Sequence, residues 1–92
     1  MLDELYNILV DRKLNPRPES YTAKLLYGEK GINAILEKIG EEATELVIAA
    51  KDGKREEIIY ETADLLYHIL VLLVALDIRL EEIWNELERR KR

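Results

Sequence analysis

Five acidic residues in two clusters carry the chemical content of this sequence. Glu41, Glu42 and Glu45 form an E-E-x-x-E group, and Glu61 and Asp64 form an E-x-x-D group one turn into the next apolar stretch. Side chains three and four residues apart share one helix face. Two such helices packed side by side would aim a ring of carboxylate oxygens at one point. Oxygen-only ligation suits a hard divalent cation, above all magnesium carrying a phosphate substrate. The spacing therefore points to an enzyme of polyphosphate chemistry.

Helices must position these residues, and helix signals dominate the chain. Met1 to about Lys13 reads as an amphipathic helix, broken by Asn15-Pro16-Arg17-Pro18. Ser20 has the chemistry of an N-cap for a short helix over Tyr21 to Tyr27, stopped near Gly28. A third helix is expected from about Lys30 to Lys51, ended by Asp52-Gly53, and a fourth from about Lys54 to Leu76. Asp77 is the expected cap of a fifth, which carries Leu80, Ile83, Trp84 and Leu87 and ends in the basic run Arg89 to Arg92. No strand pattern, repeat or linker competes. The expected fold is an all-α bundle of about five helical segments.

The helical faces bear on whether the acids are solvated or form a site. At about 100° per residue, Ile32, Ile35, Leu36, Ile39, Ala43, Leu46, Val47 and Ala50 share one broad face of the third helix. Glu37, Lys38, Glu41, Glu42 and Glu45 lie on the other. Alone, that is an amphipathic helix with a wet acidic side. Yet Ile48 and Ala49 continue the acidic face, whereas a solvated face more often stays polar. The fourth helix is apolar at every angle from Leu65 onward, so it is expected to be buried on all sides. Glu61 and Asp64 border that packed face, where a carboxylate is costly unless something positive meets it. Lys38, Lys51, Lys54 and Arg55 could do so as a salt-bridge network; a bound cation is the sharper alternative. His68, the only histidine, reads as a buried ring with one hydrogen-bond partner in preference to a ligand. Tyr21, Tyr27, Tyr60 and Tyr67 read as packing residues before base or ribose contacts.

Length and composition limit the remaining possibilities. Ninety-two residues make one domain, spanning 1–92, with a modest core, and there is no cysteine to brace it. A chain this short cannot easily wrap the fourth helix alone, so a homodimer or larger homo-oligomer is expected. The net charge of -5 argues against a nucleic-acid surface, though not against an anionic substrate bridged by metal. MLDELYNILV lacks the features of a signal peptide. The apolar run Leu65 to Leu76 is shorter than the ~18 to 20 residues of a membrane span. A cytoplasmic protein without membrane contact is the expectation.

Specific blocks then narrow the function. E-E-x-x-E, a gap of fifteen residues and E-x-x-D resemble the signature of the MazG-like all-α nucleoside-triphosphate pyrophosphohydrolases. Ser20-Tyr21-Thr22-Ala23-Lys24-Leu25-Leu26, Lys38-Ile39-Gly40-Glu41-Glu42-Ala43-Thr44-Glu45 and Glu61-Thr62-Ala63-Asp64-Leu65-Leu66-Tyr67-His68 resemble the phosphoribosyl-ATP pyrophosphohydrolases of histidine biosynthesis over nearly the whole chain. Glu19 stands where many members carry glycine. The resemblance implies magnesium-dependent hydrolysis of phosphoribosyl-ATP to phosphoribosyl-AMP and pyrophosphate. It implies Glu41, Glu42, Glu45, Glu61 and Asp64 as metal-binding residues. The proton acceptor would lie among Glu41, Glu42 and Glu45, and Lys24, Lys38 and Lys51 would contact phosphate. It also implies a stand-alone form, since 92 residues leave no room for the cyclohydrolase to which this activity is sometimes fused.

Three other readings share parts of this pattern. A housekeeping nucleoside-triphosphate pyrophosphohydrolase has the same acidic signature. A carboxylate-bridged di-iron or di-manganese bundle would use E-x-x-H, but the fourth-helix motif here ends in aspartate. A non-enzymatic helical assembly module would leave the acids solvated.

Overall fold

Prolines 16 and 18 lack an amide hydrogen and crowd the preceding turn, so no helix runs through them. The computed structural model describes residues 1–91, and α1 (Leu2–Leu14) ends just before this segment. The chain restarts helically at α2 (Tyr21–Tyr27), where the Ser20 hydroxyl accepts from the Ala23 amide at 3.2 Å, as the sequence implies. α3 (Ile32–Asp52) and α4 (Arg55–Ala75) follow as an antiparallel hairpin, and α5 (Leu80–Arg90) closes the chain. Among the described residues there are five helices and no strand, which is the all-α class expected.

Gly53 makes the α3–α4 hairpin tight. Its backbone is left-handed (φ 68°). Its amide and that of Lys54 reach back to the carbonyls of Ala50 and Ala49, at 3.2 and 3.1 Å. This closes the helix end with a conformation that a side chain would strain.

The start of α5 corrects the sequence reading. Arg79, not Asp77, is its N-cap, and the Glu82 carboxylate accepts from the Arg79 amide at 2.9 Å. Asp77 instead terminates α4 with φ 57°. The Asp77 and Ile78 amides donate to Val74 and Leu73 carbonyls, at 3.2 and 2.9 Å. Lys13 steadies this turn, with Nζ 2.7 Å from Asp77 Oδ1 and 3.0 Å from the Val74 carbonyl. Arg92, the last of the basic run, lies outside the described residues.

One core holds the helices together. Leu9 of α1, Leu25 of α2, Ile35 of α3, Leu70, Val71, Leu73 and Val74 of α4, and Leu80 of α5 pack as a single buried cluster. α4 is long and apolar enough to satisfy the composition of a bilayer span, with mean hydropathy 1.7, a property that core helices share. Here it lies against α3 and α1, and only 28% of that window is buried. The expectation that α4 is enclosed on every side is thus not met within one chain.

α3 departs further from expectation. Its buried residues are Ile35, Glu42 and Ala49, spaced at sevens, so the inward stripe runs through a glutamate. The apolar positions Ile32, Leu36, Val47 and Ala50 face outward instead. The helix is rotated by about a quarter turn from the angle its apolar face alone would choose, at 100° per residue. The radius of gyration, 14.4 Å, exceeds the ~12 Å of a compact chain of this length. The molecule is correspondingly flat, 39 × 32 × 21 Å.

Two glycines make opposite predictions. Gly53→Ala forces a side chain into a left-handed turn and is expected to cost about 1 kcal/mol. Gly40 sits inside α3, and a Cβ there would meet nothing within 4 Å. Gly40→Ala is expected to stabilise by about as much. Thermal melts should move down for the first and up for the second, by about 4–8 °C each.

Candidate metal centre

The hairpin explains which carboxylates meet. Glu45 and Glu61 each lie eight residues from Gly53, and Glu42 and Asp64 each lie eleven. In antiparallel helices joined at that turn, residues equally far from it stand level with each other. The structure accordingly brings the Glu42 carboxyl within hydrogen-bonding reach of Asp64, and the Glu45 carboxyl within reach of Glu61. The two pairs also feel each other: the Glu61 charge acts on Glu42, and the Asp64 charge acts on Glu61.

Among the described residues no lysine or arginine pairs with these four acids, Glu42, Glu45, Glu61 and Asp64. Lys38 lies 3.9 Å from Glu41, and Lys54 lies 4.0 Å from Glu57. The salt-bridge network that would have explained the acids structurally is absent from this group. Glu42 is 5% exposed, whereas Glu45 is open to solvent and Glu61 and Asp64 are half-buried. The buried side-chain atoms without a hydrogen-bond partner, among the described residues, are Glu42 Oε1 and Glu61 Oε1. Buried polar atoms are nearly always satisfied, so two orphaned carboxylate oxygens beside paired acids fit a cation that completes the set.

The electrostatics agree. Burial first, and then the Asp64 carboxyl, push Glu42 from its ordinary 4.5 up to about 8, while Lys38 pulls the other way. Glu61 is raised as well, first by desolvation and then by Glu45. Like charges at this range cannot all ionise without a counter-ion, so protons take the place of one. Glu41 is apart from both pairs. It is exposed and lines an open cavity of about 550 Å³ with Glu37, Gly40, Thr44 and Glu45.

His68 is buried, at 2% exposure, as the sequence leads one to expect. Sequence reasoning gave it one partner; the structure gives each ring nitrogen one. Nδ1 is 2.9 Å from the Asp64 backbone carbonyl, and Nε2 is 2.7 Å from the Tyr21 hydroxyl. Glu42 Oε1 also lies 2.7 Å from Nδ1. The Glu42, Asp64 and His68 ligand atoms all lie within 4.8 Å of one another. Tyr67 ties the same region to α2, through a hydrogen bond between its hydroxyl and Thr22 Oγ1 and through stacking on Tyr21 at 6.2 Å. These polar ties went unread in the sequence, although Lys38 and His68 are also equidistant from Gly53.

The lysines are spread out. Lys38 stands beside the acids. Lys24 lines a separate cavity of about 410 Å³ with Arg17, Tyr27 and Pro16. Lys51 is exposed in the last turn of α3. The structure does not gather them into one cage.

Fold and site together define an all-α protein with a carboxylate-lined site suited to a divalent cation. Residues 2–91 match the model of the family described as phosphoribosyl-ATP pyrophosphohydrolase, and the chain belongs to that family. A phosphoribosyl-ATP pyrophosphatase of Methanocella arvoryzae is 54% identical over 92 residues, covering 100% of this chain and 97% of the relative. One from Geotalea daltonii is 58% identical over 90 residues, covering 98% and 83%. The histidine biosynthesis bifunctional protein HisIE of Caldanaerobacter subterraneus is 54% identical over 90 residues, covering 98% of this chain and 43% of that longer protein.

The raised Glu42 fixes a sign for pH dependence. Without metal, the folded protein holds this proton up to about 8, whereas the unfolded chain releases it near 4.5. Between those values the native state binds more protons, so stability must fall as pH rises. In chelator, the melting temperature should drop between about pH 5 and about pH 8.5. Glu42→Gln should flatten that slope and melt above the parent at the alkaline end. A parent whose melting point stays level across the range would contradict the burial of this acid.

Proposed function

We infer that this chain hydrolyses phosphoribosyl-ATP to phosphoribosyl-AMP and pyrophosphate, a step of histidine biosynthesis, with magnesium as its cation. The observation that carries the reading is the pair of carboxyl couples across α3 and α4 that no lysine or arginine pairs, in a chain whose residues 2–91 match the family model. Glu42, Glu45, Glu61 and Asp64 would hold the cation, with Glu41 at the edge. Bound magnesium supplies positive charge to the triphosphate oxygens as the α–β anhydride breaks.

The protein's own groups do the rest. A carboxylate of the Glu41, Glu42 and Glu45 group orients the attacking water and takes its proton. Burial raises the Glu42 carboxyl above its ordinary value, which suits proton transfer near neutral pH. Lys38 adds positive charge beside the acids. Lys24 with Arg17, and Lys51 at the end of α3, offer further contacts to an anionic substrate as point charges. An intracellular nucleotide substrate would set the work in the cytoplasm.

The decisive measurement is pyrophosphate release from phosphoribosyl-ATP with magnesium, beside a panel of ordinary nucleoside triphosphates. Release should favour phosphoribosyl-ATP and stop in chelator. Asp64→Asn should lower kcat by at least about 100-fold, above the usual cost of losing a supporting group, with the helical spectrum intact. Equal rates across the panel would favour a housekeeping pyrophosphohydrolase instead.

The working form is a homodimer or larger assembly. Val47 (66% exposed) and Ile59 (57% exposed) each lie six residues from Gly53, so they stand at one level of the hairpin. Leu36, Ile48 and Leu66 extend the exposed apolar surface. Sedimentation equilibrium should find an oligomer that the double substitution Val47→Glu, Ile59→Glu dissociates without loss of helix. A monomeric parent would refute this.

A further inference from the structure

We propose that His68 is a positioning residue, not a metal ligand: its Nδ1–H holds Glu42 and Asp64 in place, and Tyr21 fixes the ring that does so. This rests on the cation site proposed above.

Both ring nitrogens already face protein atoms. The Asp64 carbonyl, 2.9 Å from Nδ1, can only accept. Nδ1 therefore carries a hydrogen, and in the neutral ring Nε2 accepts from the Tyr21 hydroxyl at 2.7 Å. Burial and the nearby Glu42 both raise Tyr21 above its ordinary 10.0, so that hydroxyl keeps its proton and donates. Glu42 Oε1 lies 2.7 Å from the same Nδ1, close enough to feel the N–H dipole, although that N–H is aimed more nearly at the Asp64 carbonyl. One N–H thus sits between the backbone of one acid and the carboxyl of another. It links α3 to α4, and through Nε2 it links both to α2. The ring is 2% exposed and braced edge-on by Tyr67 at 5.1 Å and Tyr21 at 5.8 Å, so it has no freedom to turn a lone pair toward the carboxyl cluster.

Two near-isosteric substitutions separate the nitrogens. An asparagine amide reaches the place of Nδ1, and a glutamine amide reaches that of Nε2. The probe is Mn2+ alone, titrated against the full chain and read from the spin-resonance signal of the free ion. His68→Asn, which keeps the donor at Nδ1 but loses the Tyr21 tie, should bind within about fivefold of the parent, and His68→Gln should bind about 10- to 100-fold more weakly, the usual cost of losing a group that orients a ligand. Tyr21→Phe, which removes the hydroxyl that meets Nε2, should weaken binding roughly fivefold, the worth of a single neutral hydrogen bond. It should do so with the helical spectrum in chelator unchanged, which serves if His68→Gln fails to fold. Spin-echo modulation from a directly coordinated imidazole nitrogen in the parent would overturn the proposal, because His68 would then be a ligand. Parent-like affinity in His68→Gln or in Tyr21→Phe would overturn it too, as would an asparagine variant as weak as the glutamine one. A parent that binds no Mn2+ would remove the cation site itself, and the proposal with it.

Discussion

Four carboxyl groups facing one another without a lysine or arginine partner are the constraint on which this molecule turns. Placing an ionised carboxylate in a poorly solvated position costs several kcal/mol unless a partner is supplied. The hairpin supplies none from lysine or arginine. Protons or a multivalent cation can balance the set, and burial beside Asp64 raises Glu42 in the direction that favours a held proton. A solvated acidic stripe would need neither, and it would not leave two oxygens buried and unbonded.

That demand reorganises the packing around it. A bundle built for stability alone would turn the apolar side of α3 inward. Here the helix presents Ile35, Glu42 and Ala49 to the core and leaves Val47 and Leu36 in water. Gly40 compounds this by weakening the helix next to the acids, where open space would admit a side chain. Natural proteins often tolerate such losses where chemistry requires them. The exposed apolar positions then become available for contact with another copy of the chain.

Much of this was legible in the residues, and the errors have physical causes. The proline pair, Ser20 and Asp52-Gly53 are local signals, and each marks a helix boundary within a residue or two. The acidic groups were found because types and spacing suffice to define them. The rotation of α3 was not, since a hydrophobic pattern records what could be buried, not what a site requires to be buried. Asp77 was misplaced because aspartate serves equally as a cap and as a left-handed turn residue. His68 was undervalued because its partners come from a backbone carbonyl and from a helix 47 positions away. The equal distances from Gly53 were available throughout; they become informative once the turn is known to be tight.

The shortest helix carries an implication of its own. Seven residues are too few to stay helical in isolation, where about 12 to 15 are marginal. α2 therefore borrows its order from Thr22 on Tyr67, Tyr21 on His68, and Leu25 in the core. Its order is lent by the α3–α4 hairpin, not made by its own turns. A change at Tyr21 or Thr22 would therefore unsettle α2 before it unsettles the acid-bearing helices.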